Sequence, residues 1–149
     1  MKIAPELLTL SREHHISLSL ANKCINTDKT NDKEQIRALC LAISNHFERS
    51  FKSHFDTEEF TILMPLKDKS VALRHLCERL EKEHQQLYQM AKTLATNMDL
   101  LKEFGSLLKT HTRVEDRELF VHIQLLSQDQ RLAIEKMSEQ HATPIKRFF

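Results

Sequence analysis

Apolar residues along the chain recur three and four positions apart rather than at every second position, the spacing that places side chains on one face of an α-helix. Leu7, Leu10, Leu18, Ala21 and Ile25 form a first stripe that ends before the polar run NTDKTND at 26–32. This predicts a helix from about Pro5 to Asn26, with Pro5 in the first turn, where its missing N–H costs nothing. Asn31 and Glu34 have the spacing of a capping box, and Ile36, Leu39, Cys40, Ile43, Phe47 and Phe51 continue one face. A second helix is therefore expected to run to about Leu63 and stop at Pro65. The third, capped by Asp68 or Ser70, carries Leu73, Leu76, Leu80, Leu87, Ala91 and Leu94 and ends between Ala95 and Met98. The fourth starts from Asn97 or Asp99 and buries Leu100, Phe104, Leu107, Leu108, Leu119 and Ile123. Gly105 lies inside it, at about 1 kcal/mol relative to alanine. Ser127 and Gln130 repeat the capping-box spacing and open a short terminal helix through Leu132, Ile134 and Met137, which Pro144 follows.

Four helices of roughly 20 to 30 residues joined by short loops are expected to pack antiparallel around a shared core. The fold class is thus all-α, an up-down-up-down four-helix bundle with a short C-terminal fifth helix. No linker divides the chain, so residues 1–149 read as one domain, with the bundle at about 5–125 and the terminal helix at about 127–141.

Composition supports this reading. The 149 residues include one glycine and three prolines, too few turn-formers for a sheet protein. Lysine plus arginine number 22 against 21 acidic residues, and no basic run stands out, which argues against nucleic acid as a partner. The opening MKIAPELLTLSREHH has no apolar stretch of signal length, and none approaches the roughly 20 residues that span a bilayer. A cytoplasmic protein without a membrane partner is expected, and no feature specifies an oligomeric state. Cys24, Cys40 and Cys77 lack CxxC spacing and read as reduced, space-filling thiols.

What changes the picture is the histidines, of which there are nine. Each long helix carries one where its stripe calls for a hydrophobe: His14, His54, His84 and His111. His54 and His111 each have a glutamate one turn later, Glu58 and Glu115, projecting from the same face. His14 sits at the centre of the first stripe and its neighbour His15 about 100° away, so His14 is the favoured ligand and His15 the alternative. Ionised carboxylates enclosed in an apolar bundle cost several kcal/mol each unless a cation is enclosed with them. Four neutral imidazoles and two carboxylates suit iron or manganese better than calcium, which takes oxygen alone, or thiolate-bound zinc. Glu59 and Asp116, directly after the two glutamates, are candidates to support the ligands, as is Tyr88, one turn after His84. His46, His75, His122 and His141 lie away from the stripe centres and read as surface or supporting residues.

SREHH in the first helix, HFDTEEFTILMP at 54–65, EKEHQQL at 81–87 and HTRVEDRELF at 111–120 together resemble the hemerythrin-like HHE cation-binding family, over roughly residues 5–125. The resemblance implies that His54, Glu58, His84, His111 and Glu115, with His14 or His15, bind two non-haem iron ions bridged by the glutamates, with manganese or zinc as possible substitutes. Oxygen-carrying members use a fifth histidine one turn from the third-helix ligand, where this chain has Leu80 and Tyr88. That departure points away from simple oxygen storage. A four-histidine, two-glutamate set is similar instead to bacterial di-iron proteins proposed to repair iron-sulfur centres after nitrosative or oxidative damage, and to iron- and oxygen-sensing domains. The repair proteins carry a further cysteine-bearing N-terminal domain that is not among these residues. The expected function is therefore a di-iron protein that binds or senses oxygen, nitric oxide, peroxide or iron. Its rivals are a di-iron oxidase or peroxidase, with Tyr88 as redox residue, and a metal-free helical interaction module.

Overall fold

The computed structural model describes residues 3–141 and 147–149, so Pro144 lies outside the described residues. Among them every regular element is helical. A 3-10 turn, Pro5–Leu7, leads into α1 (Leu8–Lys29); α2 is Lys33–Glu58, α3 Val71–Thr93, α4 Leu101–Val114 and α5 Gln128–Glu139. Helix α1 packs against α4 and α2, and α3 packs against the same two from the other side, so four helices close a ring. Helix α5 lies outside it, touching α2 and the turn before α1.

Local chemistry sets the helix ends, not always where expected. Asp32, not Asn31, caps α2, its carboxylate accepting from the N–H groups of Glu34 and Gln35. Asn31 instead supplies the left-handed backbone, φ 54°, that reverses the chain, a conformation asparagine tolerates better than most residues. Ser70 caps α3 by accepting from Leu73 N–H. Neither Asn97 nor Asp99 caps with its side chain; a 3-10 turn, Met98–Leu100, leads into α4. Ser127 and Gln130 form the full capping box of α5. Leu132 on that helix is 45 % exposed, so Ile134 is its apolar anchor.

Two long helices break their own register at equivalent places. Directly after Glu58 the backbone widens into a π turn, Glu59–Leu63, and at Glu115 itself into another, Glu115–Leu119. Such turns recur at functional sites because they re-aim the side chains that follow. The first also accommodates Pro65, which falls in the short turn Met64–Leu66 instead of ending the helix before it. The second passes into a 3-10 segment, Phe120–Leu125.

The core is in two parts. One is built on Phe47, Phe51, Phe55 and Phe104 with Leu20, Cys24, Cys40 and Leu87; the other on Leu10, Ile62, Leu63, Leu66, Cys77, Leu80, Leu119 and Ile134. Full burial of each large side chain stabilises the fold by roughly 1.5–3 kcal/mol. Burial pushes the Cys24 thiol up to about 12 and those of Cys40 and Cys77 to about 11, so all three stay protonated. In sequence, His14, His84 and His111 each fall between residues of one core and residues of the other, while His54 stands among the phenylalanines of the first, and all four are buried.

The buried face of α1 is Leu10, Glu13, His14, Ser17, Leu20, Ala21 and Cys24, while Leu18 and Ile25 of the expected stripe are only partly covered. Helix α1 approaches α4 closely at Gly105. A Cβ there would sit 2.7 Å from Cys24 Cβ and 2.9 Å from the Ala21 carbonyl oxygen. Alanine's better helix propensity, about 1 kcal/mol, is opposed by overpacking that costs about 1–3 kcal/mol, and a backbone carbonyl cannot swing away. Gly105→Ala is therefore expected to lower the urea midpoint despite the propensity gain; an unchanged or raised midpoint would show that α1 and α4 can separate freely.

Candidate metal centre

Helical periodicity decides which side chains meet between the two cores. His54 and Glu58 on α2, and His111 on α4 with Glu115 at the opening of the following π turn, share a face one turn apart, while α1 and α3 contribute His14 and His84. The result is two buried groups, His14, His54, Glu58 and Glu115 in one and His84, His111, Glu58 and Glu115 in the other, each with its donor atoms within 4.8 Å of one another.

The glutamates belong to both groups because each divides its oxygens. Glu58 Oε2 lies 3.1 Å from Nε2 of both His14 and His54, while Oε1 lies 3.3 Å from His84 Nε2. Glu115 Oε1 lies 3.1 Å from His14 Nε2, and Oε2 lies 3.6 Å from His84 Nε2 and 3.3 Å from His111 Nε2. Atoms held by one ion at about 2.1 Å stand about 3 Å apart at octahedral angles and about 3.4 Å at tetrahedral ones. The donor set is spaced accordingly.

The opposite nitrogen of each imidazole is engaged. Nδ1 of His54 meets Glu13 at 3.0 Å, of His84 Glu59 at 2.7 Å, of His111 Glu83 at 2.8 Å and of His14 Asp116 at 2.7 Å. Each bond crosses one helix interface, so the carboxylates form a closed ring, α1 to α2, α2 to α3, α3 to α4 and α4 to α1. An imidazole that donates from Nδ1 to a carboxylate keeps its Nε2 lone pair for a metal and is held in orientation. Phe55 stacks on His84 at 3.9 Å and Phe120 on His14 at 5.2 Å, fixing the ring planes further.

The inner atoms fit a cation better than they fit one another. Glu58 and Glu115 are 0 % and 1 % exposed, yet Glu58 Oε1, both Glu115 oxygens and Nε2 of His84 and His111 make no hydrogen bond. Buried polar atoms are nearly always satisfied, and orphans call for an ion or water. Without metal, protons take its place. Burial pushes His54 toward the neutral form, but the Glu58 charge and hydrogen bonds with Glu13 and Glu58 outweigh it and carry its pKa up to about 9. His14, His84 and His111 are also raised, burial opposing and the surrounding carboxylates prevailing. Burial and the Glu115 charge oppose ionisation of Glu58, but the charge of His54 and hydrogen bonds with His14 and His54 bring it down to about 2. Glu115 is lowered well below the ordinary range, His111 being its largest support against burial.

His14 turns inward as the stripe argument favoured, and His15 is exposed. Asp116 and Glu59 reach the histidine of the next helix. Tyr88 does not line the cavity so directly; it packs edge-on against Phe55 and Phe47, behind the ring that stacks on His84. His46 and His75 are exposed and His122 is partly exposed, while His141 meets Thr57 at 2.7 Å. The sequence reading assigned no role to Glu13 and Glu83. The signal was present: both lie on buried stripes, Glu13 between Leu10 and Ser17 and Glu83 between Leu80 and Leu87, where an unexplained acid requires a partner.

The family described as Hemerythrin HHE cation binding domain matches residues 7–123. No curated protein and no solved structure matches the chain.

The raised histidines fix a sign. Their contribution to stability of the metal-free protein is complete below the ordinary value of 6.5 and is lost as pH rises, through about 9 for His54. A metal must displace those protons, so its affinity moves the other way. The metal-free melting temperature is expected to fall between pH 6.5 and 9 while transition-metal affinity rises, with proton release on loading measurable by calorimetry in buffers of different ionisation enthalpy. No proton release would mean that these imidazoles are not displaced by the ion.

Proposed function

Because the chain belongs to the hemerythrin HHE cation-binding family, we propose that it holds two non-haem iron ions and binds or senses a small ligand: oxygen, nitric oxide, peroxide or iron itself. The ligands in this reading are His14, His54, His84, His111, Glu58 and Glu115. The observation that carries it is the division of the glutamate oxygens, one toward each histidine pair, which is what bridging two ions requires. Mixed nitrogen and oxygen donors favour iron, with manganese or zinc as substitutes.

The fold serves this reading as one domain. Helices α1 and α3 run from the Leu10–Leu80 core to the Phe47–Phe104 core and α2 and α4 run back, which supports an up-down-up-down bundle. When bound, the ions supply electrons and an open coordination position for a diatomic ligand. The protein's part is positional. The ring of carboxylates keeps every Nε2 aimed inward, six side chains shared between two ions leave room for a further ligand, and the aromatic core against Phe55 excludes water. No helix among the described residues is long and apolar enough to cross a membrane, and a cytoplasmic role in stress response or iron-centre repair is part of the proposal.

A second reading, a di-iron oxidase or peroxidase, is favoured by one feature. A cleft of about 800 Å³ between Leu7, Leu18, Phe120 and Arg131 reaches the outer edge of His14 and Asp116, more room than a diatomic molecule needs.

Anaerobic Fe(II) loading is expected to give two irons per chain by elemental analysis, with an absorption change on adding oxygen or nitric oxide. Glu58→Ala and Glu115→Ala should each retain one iron or none, and loading should raise the melting temperature of the unaltered protein by several degrees. Steady oxygen or peroxide consumption with a reductant would select the oxidase reading. Less than one transition metal per chain would leave a metal-free helical module.

A further inference from the structure

The four carboxylates that hold histidine Nδ1 atoms differ in what can reach them. The Glu13 and Glu83 side chains are 3 % and 11 % exposed, Glu59 31 % and Asp116 38 %. Asp116, the most open, also lines the large cleft beside α1. Its Oδ1 accepts from His14 Nδ1 at 2.7 Å, and its Oδ2 has no partner among the described residues.

The walls around that oxygen are apolar. Leu7 from the turn before α1, Leu18 from α1, and Phe120, Val121 and Ile123 from the 3-10 segment line the cleft, whose volume of about 800 Å³ is that of a small-molecule site. His14 lines it with its outer edge, because its Nε2 faces Glu58 and Glu115. A molecule in the cleft therefore meets the centre through Asp116 and His14 and not at the inner donor atoms. The charges decide what kind of molecule fits. Glu6 and Arg131 also line the cleft and pair with each other at 3.2 Å, so the group left to receive a ligand is an acceptor, Asp116 Oδ2. An anion would face that carboxylate, and an ammonium would give up its hydration to apolar walls, which costs several kcal/mol. A neutral hydroxyl needs only one acceptor. A phenolic O–H, more acidic than an alcohol's, is the stronger donor to a carboxylate, and its ring suits a wall that contains Phe120.

We propose that this cleft binds an uncharged phenol, its hydroxyl donating to Asp116 Oδ2 and its ring against Leu18, Phe120 and Val121. The phenol is an organic effector of the centre, held outside the metal ligands. By drawing on Asp116 it weakens that carboxylate's hold on the His14 N–H and so changes the donor strength of one ligand. Binding itself does not require iron; the effect on the centre rests on the metal-binding reading above.

The test titrates 2-naphthol and three molecules with the same rings into the metal-free full chain by calorimetry: 2-methoxynaphthalene, which lacks the donor, 2-naphthoate and 2-naphthylmethylammonium. 2-Naphthol should bind about 10- to 100-fold more tightly than its methyl ether, the worth of a hydrogen bond to a charged group, and more tightly than either ion. Asp116→Ala should remove the preference over the ether and keep the ether's affinity. Val121→Trp, at an exposed wall position, should abolish binding of both with the melting temperature unchanged. Histidine ¹⁵N spectra should show 2-naphthol shifting the His14 Nδ1 resonance and leaving His111 in place. Equal affinity for naphthol and ether, tighter binding of either ion, binding that survives Val121→Trp, or an unmoved His14 resonance would overturn the proposal. Because these titrations contain no metal, failure of the chain to take up iron would sink the metal-binding reading without deciding this one.

Discussion

Two carboxylates enclosed where water cannot reach them set the terms for the rest of the molecule. Glu58 and Glu115 are buried completely enough that their ionised forms need positive charge beside them, at a cost of several kcal/mol each if it is missing. The structure answers in layers. Around the glutamates stand four imidazoles, able to carry protons or to face cations. Around the imidazoles stand four further carboxylates, and these grade outward: Glu13 is enclosed, while the Glu59 and Asp116 side chains are 31 % and 38 % exposed. Hydrogen bonds tie the imidazoles outward to these carboxylates, while the inner glutamate oxygens that make none are left for a cation.

That layering is possible because the helices are phased for it. A glutamate one turn after a histidine shares its inward face, and the residue after the glutamate lies about 100° round, facing the neighbouring helix. Glu59 and Asp116 occupy that second direction, and the π turns that begin at or after the two buried glutamates change the register so the chain can continue into the core of Leu10, Leu63 and Leu119. The polar layer therefore sits between two apolar ones. Aromatic packing on the Phe47 side and leucine and isoleucine packing on the other hold the helices at the separation the six side chains need.

Much of this was legible from apolar spacing. His14, His54, His84 and His111 stood out because each occupies a position where the stripe calls for a hydrophobe, and the 100° offset separated His14 from His15. Other features were not legible for physical reasons. The π turns leave the average periodicity nearly intact, so helices two and four read as unbroken through Leu63 and Ile123. Asn31 was mistaken for a cap because a polar residue that reverses the chain and one that caps the next helix look alike in sequence; Asp32 does the capping. Glu13 and Glu83 stand on buried stripes, which marks them as needing a partner, but the histidines they serve are on other helices, and a contact across an interface leaves no fixed spacing to say which.

The central claim is that Glu58 and Glu115 are enclosed together because they share cations. Anomalous diffraction from crystals of the iron-loaded protein, collected on both sides of the iron edge, tests this most directly. The account predicts two peaks flanking the Glu58–Glu115 pair, one toward His14 and His54 and the other toward His84 and His111. A fully loaded crystal with iron only at surface histidines such as His46 or His75, and nothing beside the two glutamates, would contradict it.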